Sequence, residues 1–360
     1  MRDVWVDAEA LRAYAAVLLQ AAGATEEDAR ITAEVLVASD LRGHESHGVA
    51  RLEPYYVRPL LQGTINACPQ ATVRHETAAT IVIDADNGLG QPAAKRAMDQ
   101  CIAKAREAGL CMATVRHSNH FGIAGYYAMQ ALRHEMIGIA CTDAGPLAVP
   151  TGGRTAMLGS NPIAFAAPAG RNRPFVLDMA TSAVPVGKIE VKARRGVPLP
   201  TGWAVDADGQ PASDAAAVLD WLRRDLPGGL MPLGGVEAGH KGYGLSMMVD
   251  ILCGVLSGAR VHLGDPHAFT AGEPADVNHV VAALSIAAFG SAEEFTRDMD
   301  AYIDGMHRVP PAPGVDRVRV PGEPEFKAEE ERRRHGVPLH DSVATSLREL
   351  GAELGIGLRL

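Results

Sequence analysis

The sequence predicts an α/β protein whose two ends are helical. Three observations carry that reading. Residues 7–41 place apolar side chains at spacings of three and four, residues beyond about 72 alternate strand-like and helix-like runs, and residues 329–356 return to a polar helical pattern. A chain of 360 residues exceeds one small core, so two domains are expected.

The elements follow in order. "DAEALRAYAAVLLQAAG" is a helix closed by Gly23. "TEEDARITAEVLVASDL" is a second helix, with Thr25 as its N-cap and acids in its first turn. "GVARLEPYYVRPLLQG" continues as a broken helix, because Pro54 and Pro59 each remove a backbone donor. "TAATIVIDADNGLG" reads as a strand into a glycine turn, and "QPAAKRAMDQCIAKAREAG" as a helix ended by Gly109. "LCMATVRHSNHFG" is a strand into a polar loop, "AGYYAMQALRHE" a helix, and "MIGIACTDAG", "NPIAFAAP" and "PFVLDMA" are strands. "GYGLSMMVDILCGVLSG" is an apolar helix, "HVVAALSIAAF" a late strand, and "SAEEFTRDMDAYIDGMHRV" an amphipathic helix. The tail is helical, and its run "EEERRR" reads as a solvated face.

Composition narrows the function classes. Hydrophobic residues at 47% and charged residues at 21% fit a soluble globular protein. A net charge of −9 gives no global attraction for nucleic acid or an anionic membrane, so neither is an expected partner. The five cysteines are odd in number and form no CxxC pair, which points to a reducing compartment. The start "MRDVWVDAEA" lacks an apolar run, and no stretch of about 20 apolar residues occurs, so a cytoplasmic protein is expected.

Five motifs could carry chemistry. "NGLGQPA" fits GxGxxA after a strand and before a helix, the place of a dinucleotide phosphate loop. The acid that should follow about 20 residues on is missing, and plain turn chemistry explains the glycines equally. His44 with His47, and His117 with His120, form two HxxH segments that could bind zinc and serve a hydrolase. No third fixed ligand accompanies them. The alternative is acid–base chemistry. His47 titrates near neutrality, Ser46 beside it can relay a hydrogen bond, and a helix from Gly48 would put Arg51 and Tyr55 on one face. A proton donor beside a guanidinium that can grip a carboxylate suits a 2-hydroxy or 2-oxo acid. Pairing of Arg51 with a nearby acid is the plainer alternative. "AGHKGYG" offers His240 and Lys241 before a helix, as an anion site or as a solvated loop. Ser160, Asn161, Asp178, Thr181 and Ser182 put small polar groups at strand ends, where α/β folds hold ligands.

Taken together, "DLRGHESHGVARLEPY", "VRHSNHFGIAGYYA", "GSNPIAFAAP", "LDMATSAVPVGKI" and "GHKGYGLSMMVDIL" resemble the malate/L-lactate dehydrogenase family of the sulfolactate-dehydrogenase-like type. The resemblance runs in order from about residue 5 to the end. It implies an NAD(P)-dependent oxidoreductase acting on small 2-hydroxy and 2-oxo acids, with NAD placed ahead of NADP. It also implies a non-Rossmann, largely antiparallel cofactor domain at residues 76–309. Residues 1–75 together with 310–360 would form a helical substrate and dimerisation domain, in a homodimer. "NGLGQPA" then becomes a structural turn.

The resemblance also assigns residues. His47 matches the proton donor and acceptor, with Ser46 as relay partner. Arg51 matches the carboxylate-binding residue, with Tyr55 and Ser160 near the substrate. Cofactor contacts fall on His120, Phe121, Gly122, Ile123 and Ala124, on Asp178, Met179 and Ala180, on His240 and Lys241, and on Gly322 and Glu323. Lys188 stands among the catalytic positions, where the family's cyclic imino-acid reductases carry an aspartate. Lysine there favours the hydroxy-acid branches over the imine-reductase alternative. No metal site is implied.

Overall fold

The computed structural model describes residues 3–224, 226–259, 261 and 273–357; the extreme ends of the two terminal segments lie outside them. The chain runs β1 (Asp3–Val6), α1 (Ala8–Ala21), α2 (Glu26–Leu41), α3 (Arg58–Gln62), β2 (Thr72–Glu76), β3 (Thr80–Asp84), α4 (Gly90–Ala108), β4 (Leu110–Ser118), α5 (Ala124–Gln130) and β5 (Met136–Thr142). It continues β6 (Ile163–Ala167), β7 (Phe175–Met179), α6 (Val186–Arg195), β8 (Ala204–Val205), α7 (Ala215–Arg223), β9 (Gly229–Leu230) and α8 (Gly235–Asp250). The last elements are β10 (Val277–Ser285), α9 (Ala292–His307), α10 (Glu323–His335), β11 (Val337–His340) and α11 (Asp341–Glu353).

The central sheet has seven strands in the order β2-β3-β4-β10-β5-β6-β7. Every neighbouring pair is antiparallel except β3 with β4. The fold is therefore the largely antiparallel, non-Rossmann α/β arrangement that was expected. The one parallel pair needs a crossover, and α4 supplies it. "NGLGQPA" thus does sit between a strand and a helix, but its glycines face protein. A Cβ at Gly88 would lie 2.5 Å from Pro69, and one at Gly90 would lie 2.0 Å from the Asn119 carbonyl oxygen. Gly88 allows close approach of the segment before β2, and Gly90 that of the loop after β4.

Among the described residues four hydrophobic clusters form, three of them large. The first joins the chain's two ends: Leu11, Leu18, Leu36, Leu52 and Tyr56 pack with Val337, Leu339, Leu347 and Leu350. Strand β1 pairs with β11, and the Tyr14 hydroxyl donates to the Leu347 carbonyl at 3.0 Å. The second lies between the sheet and helices α4 and α5, with Met98, Phe121, Tyr127 and Val281 at its centre. The third, around Ile189, Val218, Leu219 and Leu230, folds α6 and α7 against the small two-stranded β8–β9 sheet.

The local pattern did not reveal β1, β11, α6 or α7. The "DVWV" and "VPLH" strands are four residues each, and their partners are over 300 positions apart, so neither carries a self-sufficient signal. The "EEERRR" face is also not wholly solvated. Arg332, only 17% exposed, donates to the Asp40 carbonyl at 2.5 Å and to Glu45 at 2.6 Å. Among the described residues no helix is long and apolar enough to cross a membrane.

Candidate active site

The expected helix from Gly48 does not form. The backbone after α2 makes one 3-10 turn at Glu45–His47, a second at Val49–Arg51, and a π-turn at Glu53–Val57 before α3. Gly48 is extended between the two tight turns, at φ −87° and ψ −152°, and interrupts any continuous helix. The consequence is local and useful. Arg51 folds back so that its Nε donates to the Ser46 carbonyl at 2.7 Å, and its guanidinium lies 5.2 Å from the Tyr55 ring. Its second nitrogen is 4.0 Å from Glu190, a loose pairing that leaves donors for a ligand.

These turns border a cavity of about 620 Å³. Ser46, His47, Arg51 and Tyr55 form one wall. Asn119, His120 and Gly122 come from the loop after β4, Thr142 to Leu147 from the end of β5, Ser160 from the approach to β6, and Gly187 from α6. Helix packing brings the α6 wall very close, since a Cβ at Gly187 would lie 2.9 Å from that of Ser46.

Two imidazoles face each other in this cavity. His47 and His120 stack at a centroid distance of 5.6 Å and an interplanar angle of 23°. Their partners differ. The His47 Nδ1 lies 2.9 Å from the Ser46 hydroxyl. The His120 Nδ1 accepts from the fully buried Tyr56 hydroxyl and from the Gly122 N–H at 3.4 Å, which leaves its proton on Nε2. Among the described residues neither Nε2 has a partner. Burial, with the charges of Arg51 and His44, lowers His47 to about 4. Burial and then His47 and Arg51 hold His120 well below the usual histidine range. Both rings are neutral at neutral pH.

The other two histidines point elsewhere. His117 sits at φ +50° with its Nδ1 3.1 Å from Asp84, and His44 borders a second cavity. The four imidazoles of the HxxH segments therefore do not converge.

The second cavity, about 250 Å³, is lined by Arg42, His44, Gly125, Asp178, Arg319 and Gly322, among others. It flanks the same two segments as the first, since His44 precedes His47 and Gly125 follows Gly122. The Gly125 N–H donates to the half-buried Asp178 carboxyl at 2.8 Å, and desolvation raises that carboxyl.

The remaining assigned positions scatter. Phe121 is fully buried between His279 and Tyr127 at 4.5 and 4.7 Å, and Ile123 and Ala124 are core. Met179 and Ala180 are half-buried and line neither cavity. Glu323 is engaged by His307 at 2.8 Å and Arg317 at 3.3 Å. His240 and Lys241 are exposed on α8, outside both cavities, and Lys188 is exposed while its neighbour Gly187 faces the first.

Two site features escaped sequence reading. Asp143 lines the first cavity, its oxygens held by the Asn278 N–H at 2.7 Å and amide at 2.9 Å, and burial pushes it up to about 8. His279 is buried behind Phe121, between Thr142 at 2.7 Å and Ser118 at 3.1 Å, and burial lowers it to about 3. An acid at a strand end before glycine, in "TDAG", was the available signal for Asp143. His279 sits in an apolar run that hides it. Asn161, at φ +35°, ties this wall together, because it accepts from the Ala144 N–H at 3.0 Å and donates to Ser246 and Asp250 on α8.

The chain matches known proteins over nearly its whole length. The sequence profile described as malate/L-lactate dehydrogenase matches residues 6–348.

The chain belongs to that family.

It is 41% identical to the malate dehydrogenase of Pyrococcus abyssi over 98% of this chain and 96% of that one. It is 38% identical to the L-sulfolactate dehydrogenase of Methanocaldococcus jannaschii over 95% and 94%. The crystal structure of malate dehydrogenase from Entamoeba histolytica superposes with a TM-score of 0.95 at 31% identity, covering all of both chains. This family member is accordingly an oxidoreductase.

Proposed function

We propose that this family member interconverts a small 2-hydroxy acid and its 2-oxo acid, with a nicotinamide dinucleotide as the hydride carrier and His47 as the group that takes or returns the hydroxyl proton. One observation carries the reading: a neutral imidazole with an open Nε2 and a guanidinium with open donors border the same cavity. The relatives named for malate and sulfolactate support substrates of that size and charge.

The cavities suit a dinucleotide. The first, at about 620 Å³, holds more than a three- or four-carbon acid and lies within the roughly 300–1,000 Å³ of small-molecule and cofactor sites. Gly122 and the Thr142–Leu147 wall would border one part of the cofactor, and Arg42, Asp178, Arg319 and Gly322 the other. NAD is favoured over NADP because the two arginines that line the second cavity are already paired, Arg42 with Glu329 and Arg319 with Asp316. The nicotinamide supplies hydride acceptance or donation.

The protein supplies orientation and proton transfer. Arg51 donates two parallel hydrogen bonds to the substrate carboxylate. In oxidation, His47 carries its ring proton on Nδ1 toward the Ser46 oxygen, so Nε2 is free to accept the hydroxyl proton. His120, its Nδ1 occupied by Tyr56, can only donate through Nε2, and it steadies the reacting oxygen. In reduction His47 must arrive protonated. An anionic substrate on Arg51 offsets the guanidinium charge that depresses His47, so substrate binding draws in the proton. We assign a second copy of the chain to the exposed apolar stripe of Met247 and Met248 at the end of α8 with Ile251 and Val255 in the π-turn that follows it, forming a homodimer.

The test is a panel of 2-oxo acids and cyclic imines with NADH and NADPH, followed at the nicotinamide absorbance. Turnover of a 2-oxo acid with NADH is expected. Turnover confined to cyclic imines, or none with either cofactor, would overturn the reading.

A further inference from the structure

Asp40 is the last buried acid of α2, and it belongs to neither cavity. It is 1% exposed. Its Oδ2 accepts from the Val49 N–H at 2.8 Å, and its carboxyl packs flat on Gly48, where a Cβ would lie 1.9 Å from Oδ1. No cation touches that carboxyl among the described residues. The charged and titratable groups around it are committed elsewhere. On its own helix end, Arg42 pairs with Glu329 of α10. From α10, Arg332 donates to the Asp40 carbonyl and to Glu45. On the loop, the His44 carbonyl accepts from Ser39 at 2.8 Å and from the His47 N–H at 2.9 Å, and His47 faces the cavity.

The loop is thus fastened at both ends. Ser39 and Arg332 hold its start at His44 and Glu45, and the Asp40 carboxyl holds its end at Gly48 and Val49. His47 lies between the two fastenings, and Arg51 follows directly. We propose that Asp40 is a positioning residue: its buried carboxyl fastens the loop that carries His47 and Arg51, and ionising that carboxyl loosens the loop.

The electrostatics agree with the geometry. Burial raises Asp40 to about 8; the Val49 N–H works against this, Glu45 adds to it, and Arg332 opposes it. When the loop opens, water restores the ordinary carboxylate value near 4. Between those values the closed loop keeps a proton that the open loop has lost. The closed state is therefore fully favoured below about pH 4 and loses ground as pH rises to about 8. The opening equilibrium grows by up to tenfold per pH unit over that span and then levels off.

Hydrogen–deuterium exchange of the peptide spanning residues 43–52 tests this without any substrate. After correction for intrinsic base catalysis, its protection should fall up to about a hundredfold from pH 5.5 to 7.5 in the parent protein. In Asp40→Asn, which keeps the shape but does not ionise, it should stay level. Peptides of α4 serve as the reference for global opening. Constant protection in the parent, an equal fall in Asp40→Asn, or a fall shared by α4 overturns the proposal.

The activity arm rests on the proposed reaction. Asp40→Asn should match parental turnover below pH 7 and exceed it above pH 8. Asp40→Leu should lose tenfold or more in kcat with α4 exchange unchanged, and a parental kcat in that variant also overturns the role. If the reaction itself is misassigned, the parent shows no turnover and the exchange arm still decides.

Discussion

The two HxxH segments, residues 44–47 and 117–120, have the same spacing and opposite constructions. The first is a pair of tight turns hung between α2 and α10, fastened by side chains from both. The second ends a β-strand and is locked onto the turn before α4: the Asn119 side-chain amide donates to the Asn87 and Gly88 carbonyls at 3.1 and 2.9 Å, the Asn87 N–H donates to the His117 carbonyl at 2.7 Å, and Gly90 packs on the Asn119 carbonyl. In each, only the later histidine reaches the first cavity. The difference teaches that spacing placed two imidazoles there by two independent routes. In the proposed reaction the turn-borne segment carries the base and the strand-end segment carries the fixed donor.

The strongest way to break this comparison is His47→Ala. Turnover should fall by about 10²–10⁴, the usual contribution of a positioned general base, while NADH binding by fluorescence titration stays near parental. The parental pH profile sharpens the same point. With His47 lowered to about 4, its neutral form persists above that value. Hydroxy-acid oxidation measured as kcat/KM should hold level down to about pH 5 and decline as His47 takes a proton near 4. A decline centred near 6.5 would mean that burial and Arg51 do not hold His47 down in the free enzyme.

A smaller effect tests the fixed donor. Tyr56→Phe removes the hydroxyl that holds the His120 proton on Nε2. One hydrogen bond of that kind is worth about 0.5–1.5 kcal/mol, so kcat should fall roughly 2–10-fold with KM little changed. The smallest effect belongs to His117→Asn, whose ring pairs with Asp84 at a half-exposed site. Its turnover should stay within about twofold of parental, as expected for an exposed pair. Equal losses in Tyr56→Phe and His117→Asn would erase the distinction between the two segments.

Much of this was legible locally. Strands β3 to β7 and helices α1, α2, α4 and α8 announce themselves by period and by Gly, Pro and Thr punctuation, because those signals act within a few residues. His47, Arg51 and Ser46 were legible because one short segment carries all three. His279 was not, since an imidazole in an apolar strand looks like ordinary core until the sheet order is known, and Asp143, just past the end of β5, carried only the weak signal of an acid at a strand end. The zinc reading of the HxxH segments had the same weakness. Spacing does not say which way a ring faces.

The sequence by itself determined the family, the antiparallel α/β plan it implies, and the chemistry available at Ser46, His47 and Arg51. Only the tertiary structure decided that His120 stacks on His47 while His44 and His117 turn away, that Tyr56 chooses the tautomer of His120, and that Asp40 and Arg332 hold the loop between them. The physical reason is distance along the chain. Period, caps and turns are set by neighbours, but burial, tautomer and charge are set by residues far along the chain, as Arg332 is 292 positions from Asp40. Those exist as neighbours only once the chain has folded.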